Sequence, residues 1–177
     1  MITIRKEEKE DHQKVFQLTE EAFREMEYSD HQEHFLVEKL RRSEAFIPEL
    51  SLVGEDKNGV IVGHILFTKI KIVNEEKSFD SLALAPVSVK PEFQNQGIGA
   101  KLILEGHRIA EELGYESVIL IGHEKYYPRF GYKKTSNFGI SFPFDIPEEN
   151  GMAVELVKDG LKDRKGVVKY PHEFGID

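Results

Sequence analysis

Residues 81–104 read SLALAPVSVKPEFQNQGIGAKLIL, and this stretch contains the junction between a strand and a helix. Its first half is apolar and β-rich, which predicts a strand with Pro86 inside it. From Ile98 onward, apolar residues recur at helical spacing. The first turn of a helix has unpaired N–H groups and a partial positive charge, and glycine lets a ligand approach the backbone closely. Gly97 and Gly99, placed where the helix should begin, therefore predict an anion-binding turn.

The spacing of these glycines separates the known kinds of phosphate-binding turn. A Walker loop needs a glycine five positions before Gly99 and a lysine after it, but the chain has Gln94 and Ala100 there. A dinucleotide-binding turn needs a third glycine three residues after Gly99, where Leu102 stands. The pattern that remains is Gln-x-x-Gly-x-Gly. It either cradles an anion or only makes a tight turn.

The rest of the chain alternates between short strands and helices. The pattern predicts strands over residues 2–5, 79–90 and 117–122 and near 131–142 and 152–157, with a hairpin over 49–72 that turns at Asn58-Gly59. It predicts helices over about 8–26 (with Asp11 as a possible cap), 31–42, from Ile98 to Gly114, and 125–130, and leaves the C-terminal tail unassigned. The strands over 79–90 and 117–122 should be parallel because a helix joins them. These elements predict an α/β fold (α+β in some schemes) with a mixed sheet and helices on both faces.

The composition suits a single domain over residues 1–177. Hydrophobic residues make up 40% of the chain, and the lack of cysteine excludes disulfides, thiolate metal sites and a cysteine nucleophile. The N-terminus lacks the apolar core of a signal peptide and no apolar stretch reaches membrane-spanning length, so we expect a cytoplasmic protein without a membrane partner. The net charge of −8 argues against a nucleic-acid partner. The acidic excess either serves solubility or weakly favours a cationic substrate.

Two motifs carry a resemblance to a known family. VSVKPEFQNQGIGAKLI (87–103) resembles the acyl-CoA pyrophosphate loop of the GCN5-related N-acetyltransferases (GNAT), whose pattern is [RQ]-x-x-G-x-[GA]. YYPRFGYKK (126–134) resembles a second segment of that family, and GHEKYYPRFGY with the GVVKYPHEF tail is similar to its YhbS-like branch. The resemblance covers nearly the whole chain. It implies a mostly antiparallel sheet with two splayed parallel strands, acetyl-CoA as co-substrate without a metal, and direct acetyl transfer to an amine.

The resemblance also implies which residues bind acetyl-CoA. Pyrophosphate should lie against Gln94, Asn95, Gln96, Gly97, Ile98, Gly99 and Ala100, and pantetheine along Val87, Ser88 and Val89. Pro86 gives an independent local reason for the second assignment, because a central strand normally excludes proline unless a bulge is present. Near such a bulge, N–H groups of Val87 and Val89 are left for the pantetheine amides and for the oxyanion at the thioester. The alternative is an edge strand that tolerates the proline.

Tyr127 aligns with the general acid of the family, and it should also contact the cofactor. A phenol with a pKa near ~10 can protonate a thiolate whose conjugate acid has a pKa around ~8.5–10 without a large mismatch. The alternative role for Tyr127 is a core phenol hydrogen-bonded to the backbone. Tyr126, its neighbour, is interpreted as a packing aromatic.

The base and the acceptor are less defined. Glu33, His34 and Glu38 on the second helix and His123 after residues 117–122 are candidate bases or acceptor-side groups, with a water chain or a purely structural role as alternatives. His31 and His34 could share a metal only with further ligands, and His64 is interpreted as a satisfied core histidine. The acceptor should be a small-molecule or protein amine. Glu25, Glu27, Asp30 and Glu33 hint that it is cationic.

Two features of the whole protein stay open at this stage. The protein could be a monomer or a homodimer. The alternative to an enzyme is a non-catalytic acyl-CoA-binding or sensor domain on the same fold.

Overall fold

The computed structural model describes residues 1–176 and contains three α-helices in that range. The helices are α1 (His12–Phe23), α2 (Glu33–Arg41) and α3 (Ile98–Glu112). The strands are β1 (Thr3–Lys6), β2 (Phe46–Glu55), β3 (Ile61–Val73), β4 (Ser78–Val89), β5 (Ser117–Ile121), β6 (Lys133–Lys134), β7 (Ile140–Ser141), β8 (Gly151–Glu155) and β9 (Gly166–Lys169). None of the helices in the described range is long and apolar enough to cross a membrane.

The strands of residues 1–176 form one mixed sheet in the order β1-β2-β3-β4-β5-β8-β6, with β9 beside β3 and β7. The pairs β1–β2, β3–β9, β5–β8 and β6–β8 are antiparallel, whereas β4–β5 and β7–β9 are parallel. The parallel β4–β5 pair confirms the prediction for the segment that passes through α3. It also shows that β4 is an internal strand at Leu82 and Ala83. Pro86 lies beyond these pairs, so its edge-strand explanation stays a prediction.

The chain divides into two compact units. The first comprises residues 1–67 and 85–109, and the second comprises residues 68–84 and those from 110 onward. The strands β3 and β4 and the helix α3 each run from one unit into the other. The single domain inferred from composition stays a prediction.

In the first unit, two glycines let α3 lie close to the sheet. A Cβ on Gly63 of β3 would stand 3.0 Å from side-chain carbons of Ile98 and of Leu102. Four residues along the same strand, the ring of Phe67 would meet a Cβ on Gly106 of α3 at 2.2 Å. Because residues 63 and 67 share one face of β3, that face packs on α3. The close approach fixes where α3 begins.

A side chain from α2 reaches the opposite face of β3 in the first unit. His64 alternates with Gly63 and therefore points away from α3. It lies beside the buried Glu7, which Arg41 of α2 binds at 2.6 Å. The prediction of helices on both faces of the sheet is thus confirmed.

The second unit has its own apolar core, formed by Ile70, Ile72, Ala83, Ile119, Ile140, Ala153, Leu161 and Val168. These side chains come from six strands and from a turn near Leu161. After Ser117, the strand β5 is apolar, as expected of a strand that lies between β4 and β8. The carboxyl end of β5 pairs with β8, through Leu120 with Met152 and Ile121 with Gly151. The segment that contains Tyr127 follows directly from this end.

Several predicted boundaries differ from the observed ones. Helix α1 ends at Phe23, and Asp11 occupies its N-cap position without capping it, because its carboxylate binds Arg5 and the Glu8 N–H. Helix α2 begins after His31, whose φ of 59° is not helical. The segment predicted as one strand near 131–142 is split into β6 and β7 by a 3₁₀ turn, and the short helix over 125–130 is a 3₁₀ helix, Tyr127–Phe130. The unassigned tail supplies β9.

Candidate active site

The turn before α3 presents unpaired backbone donors. The first helical hydrogen bond runs from the Lys101 N–H to the Gly97 carbonyl at 3.1 Å. The N–H groups of Ile98, Gly99 and Ala100 precede it, and at these positions a helix offers no acceptor of its own. Together with the partial positive charge of the helix start, these donors suit an oxyanion such as a phosphate.

Gly97 has a backbone conformation that only glycine adopts freely. Its φ is 81°, in the left-handed region, and a Cβ built on it would meet no atom within 4 Å. The space beside Gly97 is therefore open, and glycine is required here for its conformation and not for packing. Asn95, with a φ of 65°, is also left-handed, a conformation that asparagine tolerates better than most residues.

Gln94 ties the turn to the end of β4. Its side-chain Nε2 donates to the Val89 carbonyl at 3.1 Å, while its backbone N–H donates to the Pro91 carbonyl at 3.3 Å. Gln94, Asn95 and Gln96 are all exposed. The Gln94 side chain thus holds the turn in place through its amide nitrogen, a role that the sequence pattern alone did not indicate.

The last residues of β4 direct donors away from β3. The Lys90 N–H donates to the Val62 carbonyl of β3 at 2.9 Å. Because N–H groups alternate between the two sides of a strand, those of Val87 and Val89 point to the side away from β3. Val87 and Val89 are half-buried, whereas the Ser88 side chain between them is 1% exposed.

The parallel ladder from β4 to β5 is short. Within the described chain it comprises Leu82 opposite Val118 and Ala83 opposite Ile119, although both strands continue beyond these pairs. Pro86 follows after the end of this ladder and is joined to Ala85 by a cis peptide bond. The bulge expected at Pro86 stays a prediction.

Tyr127 opens the 3₁₀ helix that follows β5, with Pro128 in its first turn. Its ring lies against Gly122, where a Cβ would stand 2.4 Å from the Tyr127 Cε2. Burial raises the pKa of the Tyr127 hydroxyl to about 12, with a smaller contribution from Tyr126. The hydroxyl makes no hydrogen bond with residues 1–176, so the alternative of a phenol tied to the backbone is not supported.

Gly122 is itself held on both sides by Asn150, and the sequence analysis identified neither residue. The Gly122 N–H donates to the Asn150 carbonyl at 2.9 Å, and the Asn150 side-chain amide donates to the Gly122 carbonyl at 3.0 Å. These bonds fix the end of β5 and, through it, the surface on which the Tyr127 ring rests. The only sequence signal was a glycine directly after an apolar strand.

The neighbours of Tyr127 have packing and turn-forming roles. The Tyr126 ring lies edge-to-face on Tyr127 and Phe130, with centroids 5.0 and 5.3 Å apart, and Arg129 covers it at 4.6 Å. This geometry agrees with the interpretation of Tyr126 as a packing aromatic. His123 is exposed, and its Nδ1 accepts a hydrogen bond from the Lys125 N–H at 3.1 Å.

Glu33 at the start of α2 has one carboxylate oxygen with no partner. Ser29 donates to Oε2 at 2.5 Å, whereas Oε1 is buried and unpaired within the described chain. The next residue, His34, packs edge-on against Phe16 at 4.8 Å and likewise has a buried, unpaired Nδ1. An unpaired buried carboxylate oxygen is a strong acceptor for an ammonium group. Glu38 is exposed on the same helix.

The remaining histidines and acidic residues have simple surroundings. The His31 Nδ1 lies 3.0 Å from the Phe23 carbonyl, and residues 1–176 contain no group of three or more His, Cys, Asp or Glu side chains placed to hold a metal ion. Glu25, Glu27 and Asp30 are exposed. The candidate site residues therefore fall into two sets. The first unit contains the end of β4, the turn before α3 and Glu33, and the second unit contains His123 and Tyr127.

The chain is similar in sequence to a known family and to several known proteins. Residues 3–135 match the family model described as an acetyltransferase (GNAT) domain. The N-acetyltransferase YjhQ of Escherichia coli K12 is 39% identical over 116 residues, which is 65% of this chain and 64% of YjhQ. The match thus spans less than two thirds of that relative. The N-acetyltransferase YhbS of the same organism is 26% identical over 133 residues, 75% of this chain and 78% of YhbS.

Two solved structures are similar over almost the whole chain. Escherichia coli YhbS in complex with CoA superposes with a TM-score of 0.87 at 25% identity, covering 98% of this chain and 92% of YhbS. A GNAT family acetyltransferase from Brucella melitensis in complex with acetyl-CoA superposes with a TM-score of 0.80 at 34% identity, covering 98% of each chain.

Proposed function

The chain belongs to the GNAT family of acetyltransferases, and on that basis we propose that it transfers an acetyl group from acetyl-CoA to an amine. The observation that carries the proposal is the left-handed turn at Gly97, which leaves the first N–H groups of α3 without helical partners and the space beside it open. This turn fits a pyrophosphate. The CoA and acetyl-CoA complexes of two similar proteins support the same ligand.

Acetyl-CoA supplies an activated thioester: attack of the amine forms the C–N bond, breaks the C–S bond and releases the CoA thiolate. We assign the diphosphate to the turn over residues 94–100. The N–H groups of Val87 and Val89 point away from β3 and would bind the pantetheine arm as an added strand does. One of them would also donate to the carbonyl oxygen as negative charge develops there, which lowers the barrier to attack.

Tyr127 would donate a proton to the departing thiolate. Its pKa of about 12 keeps the hydroxyl protonated at neutral pH. This value lies above the ~8.5–10 of a thiol in water, so the match is poorer than the sequence suggested. Burial that disfavours the tyrosinate also disfavours a thiolate in the same surroundings, so it raises the pKa of the thiol as well. The difference between the two pKa values is then smaller. A hydroxyl without an internal hydrogen bond is free to make this donation.

Removal of the amine proton needs a separate group. A lysine-type amine has a pKa near ~10.4, so only about one molecule in a thousand is neutral at pH 7. Glu33 is the better candidate to bind the ammonium form and accept its proton, since its Oε1 is buried and unpaired. His123 is a second candidate, and because its Nδ1 accepts from Lys125, its Nε2 would be the reacting atom.

The first experiment measures release of free CoA from acetyl-CoA against a panel of small-molecule amines and peptides with free N-termini or lysines. Turnover with at least one amine is expected. Tight binding of acetyl-CoA without turnover on any amine would instead indicate the non-catalytic sensor. With the best amine, Tyr127→Phe should lower kcat about 10²-fold with little change in acetyl-CoA affinity, since a general acid contributes at least that much. Tyr126→Phe, the matched control, should keep most of the activity.

A second experiment tests the acceptor side. Glu33→Gln removes the charge but keeps the shape of the side chain, and it should lower kcat/KM for the amine without changing the affinity for acetyl-CoA. Glu38→Gln makes the same change on the exposed face of α2 and should behave as wild type. Equal behaviour of the two variants would remove Glu33 from the acceptor site and leave His123 or water as the base. Size measurements on the same samples distinguish monomer from homodimer.

A further inference from the structure

A depression in the surface of the second unit lies at the amino end of β5. It has a volume of about 430 Å³ and is lined by residues 78–80 at the start of β4, by residues 113–116 and by Arg164. Residues 113–116 directly precede β5, whereas Gly122, on which the Tyr127 ring rests, directly follows it. An extended chain rises about 3.3 Å per residue, so these two ends of β5 are roughly 20 Å apart. The depression is therefore separate from Tyr127.

The guanidinium of Arg164 is positioned by stacking and has hydrogen-bonding capacity left over. Its carbon Cζ lies 4.9 Å from the centre of the Phe79 ring, so the ring covers one face of the group. Its Nη2 lies 3.8 Å from Glu116 Oε1, which is too long for a hydrogen bond. Within residues 1–176 the guanidinium makes no hydrogen bond. Its N–H donors are thus available to a carboxylate, which a guanidinium can bind through two parallel hydrogen bonds.

A negative group lies next to this guanidinium in the same depression. The Glu116 carboxylate also makes no hydrogen bond with the described part of the chain, and its side chain is 45% exposed. The helix α3 ends at Glu112, just before the lining residue Leu113, and the carboxyl end of a helix carries a partial negative charge. Asp80, in contrast, is bound by Lys71 of β3. Glu116 and the end of α3 are therefore the groups that would attract a cation.

We propose that this depression binds a free α-amino acid with an apolar side chain. Such a molecule carries a carboxylate and an ammonium on one carbon, which complements the Arg164 guanidinium and the Glu116 carboxylate 3.8 Å apart. A ligand with only one of these charges would be repelled by the protein group of the same charge. Phe79 and Leu113 offer apolar surface to the side chain, and the volume is in the range of small-molecule sites. The inference does not depend on acetyl transfer.

The test is a titration of the ¹⁵N-labelled full chain, without acetyl-CoA, with three related probes. L-leucine carries both charges, N-acetyl-L-leucine keeps only the carboxylate, and L-leucinamide keeps only the ammonium. L-leucine should shift the backbone amide signals of Phe79, Gly114 and Arg164 saturably at millimolar concentrations. Each of the other two probes should bind at least about tenfold more weakly. The absence of a saturable shift with L-leucine, or equal binding of all three probes, would overturn the inference.

Variants of the two charged groups test the roles assigned to them. Arg164→Gln should weaken L-leucine binding at least about tenfold. Arg129→Gln is the matched control and should bind L-leucine as wild type does, since Arg129 also covers an aromatic ring, that of Tyr126 at 4.6 Å, but lies outside the depression.

Glu116→Gln should reduce the preference for L-leucine over N-acetyl-L-leucine, because the group that repels a lone carboxylate is gone. Wild-type binding in Arg164→Gln, or an unchanged preference in Glu116→Gln, would overturn the inference. A protein that binds L-leucine here but acetylates no amine would contradict the proposed function and leave this inference standing.

Discussion

Replacing Gly122 by alanine should reduce catalysis by moving the Tyr127 ring. The added Cβ would stand 2.4 Å from Cε2 and 2.9 Å from Cδ2 of that ring. Carbon atoms in contact prefer about 3.5 Å or more, so the ring must retreat by roughly 1 Å. Asn150 holds the Gly122 backbone on both sides, so the backbone is less able to yield than the ring. A shift of that size in a reacting group costs on the order of 10²-fold in rate.

The assay compares kcat, acetyl-CoA affinity and thermal stability with those of a matched glycine variant. A Cβ on Gly151, which pairs with Ile121 at the end of β5, would meet the Phe142 ring at 2.5 Å. Gly122→Ala and Gly151→Ala should therefore lose similar stability, about 1–3 kcal/mol for an overpacked site. Only Gly122→Ala should lose kcat about 10²-fold, with affinity for acetyl-CoA retained. If Gly122→Ala keeps kcat within about twofold of wild type while its ring is displaced in a crystal structure, the position of Tyr127 does not matter for the reaction.

Three further outcomes are expected. Gly97→Ala forces a side chain into the left-handed region, at a cost of roughly 1–2 kcal/mol. This variant should weaken acetyl-CoA binding at least about tenfold. Gly59→Ala, at a φ of 78° in the hairpin, should lose similar stability but keep its affinity for acetyl-CoA. Since the pKa of Tyr127 is about 12, its hydroxyl stays protonated to high pH. Loss of this proton should therefore not lower kcat below about pH 11. A fall in kcat centred near pH 8–9 that disappears in Tyr127→Phe would contradict the assignment of Tyr127 as the general acid. Burial lowers the pKa of His64 to about 4, so between about pH 6.5 and 4 only the unfolded state takes up this proton. The free energy of unfolding should therefore decrease as the pH is lowered through this range, by up to about 3 kcal/mol. Urea unfolding of His64→Gln should show a correspondingly smaller dependence on pH.

The sequence predicted best those features that depend on neighbouring residues. Apolar periodicity located α3, and a short apolar run located β5. The glycine at position 97 marked a turn whose φ of 81° requires it. The parallel pairing of β4 and β5 followed from a chirality rule that holds across folds. In each case a short stretch of sequence contains the physical cause.

The features that sequence did not reveal depend on contacts between distant residues. Ser51 is 13 positions from His64 and 44 from Glu7, and no local pattern shows that the three side chains meet. The contact of Gly122 with Tyr127 is hidden because a missing side chain leaves no periodic signal. The tail was not assigned because β9 is four residues long and becomes a strand only by pairing with β3 and β7.

The most direct test is a titration of the ¹⁵N-labelled protein with acetyl-CoA, followed through its backbone amide signals. If the turn before α3 binds the diphosphate and β4 binds the pantetheine arm, the largest shifts should fall at Val87, Val89 and residues 97–100. The amide of Glu76, in the turn that joins the other ends of β3 and β4, should not move. Saturable shifts confined to other parts of the chain, or no shifts at millimolar acetyl-CoA, would show that this turn is only a bend between a strand and a helix.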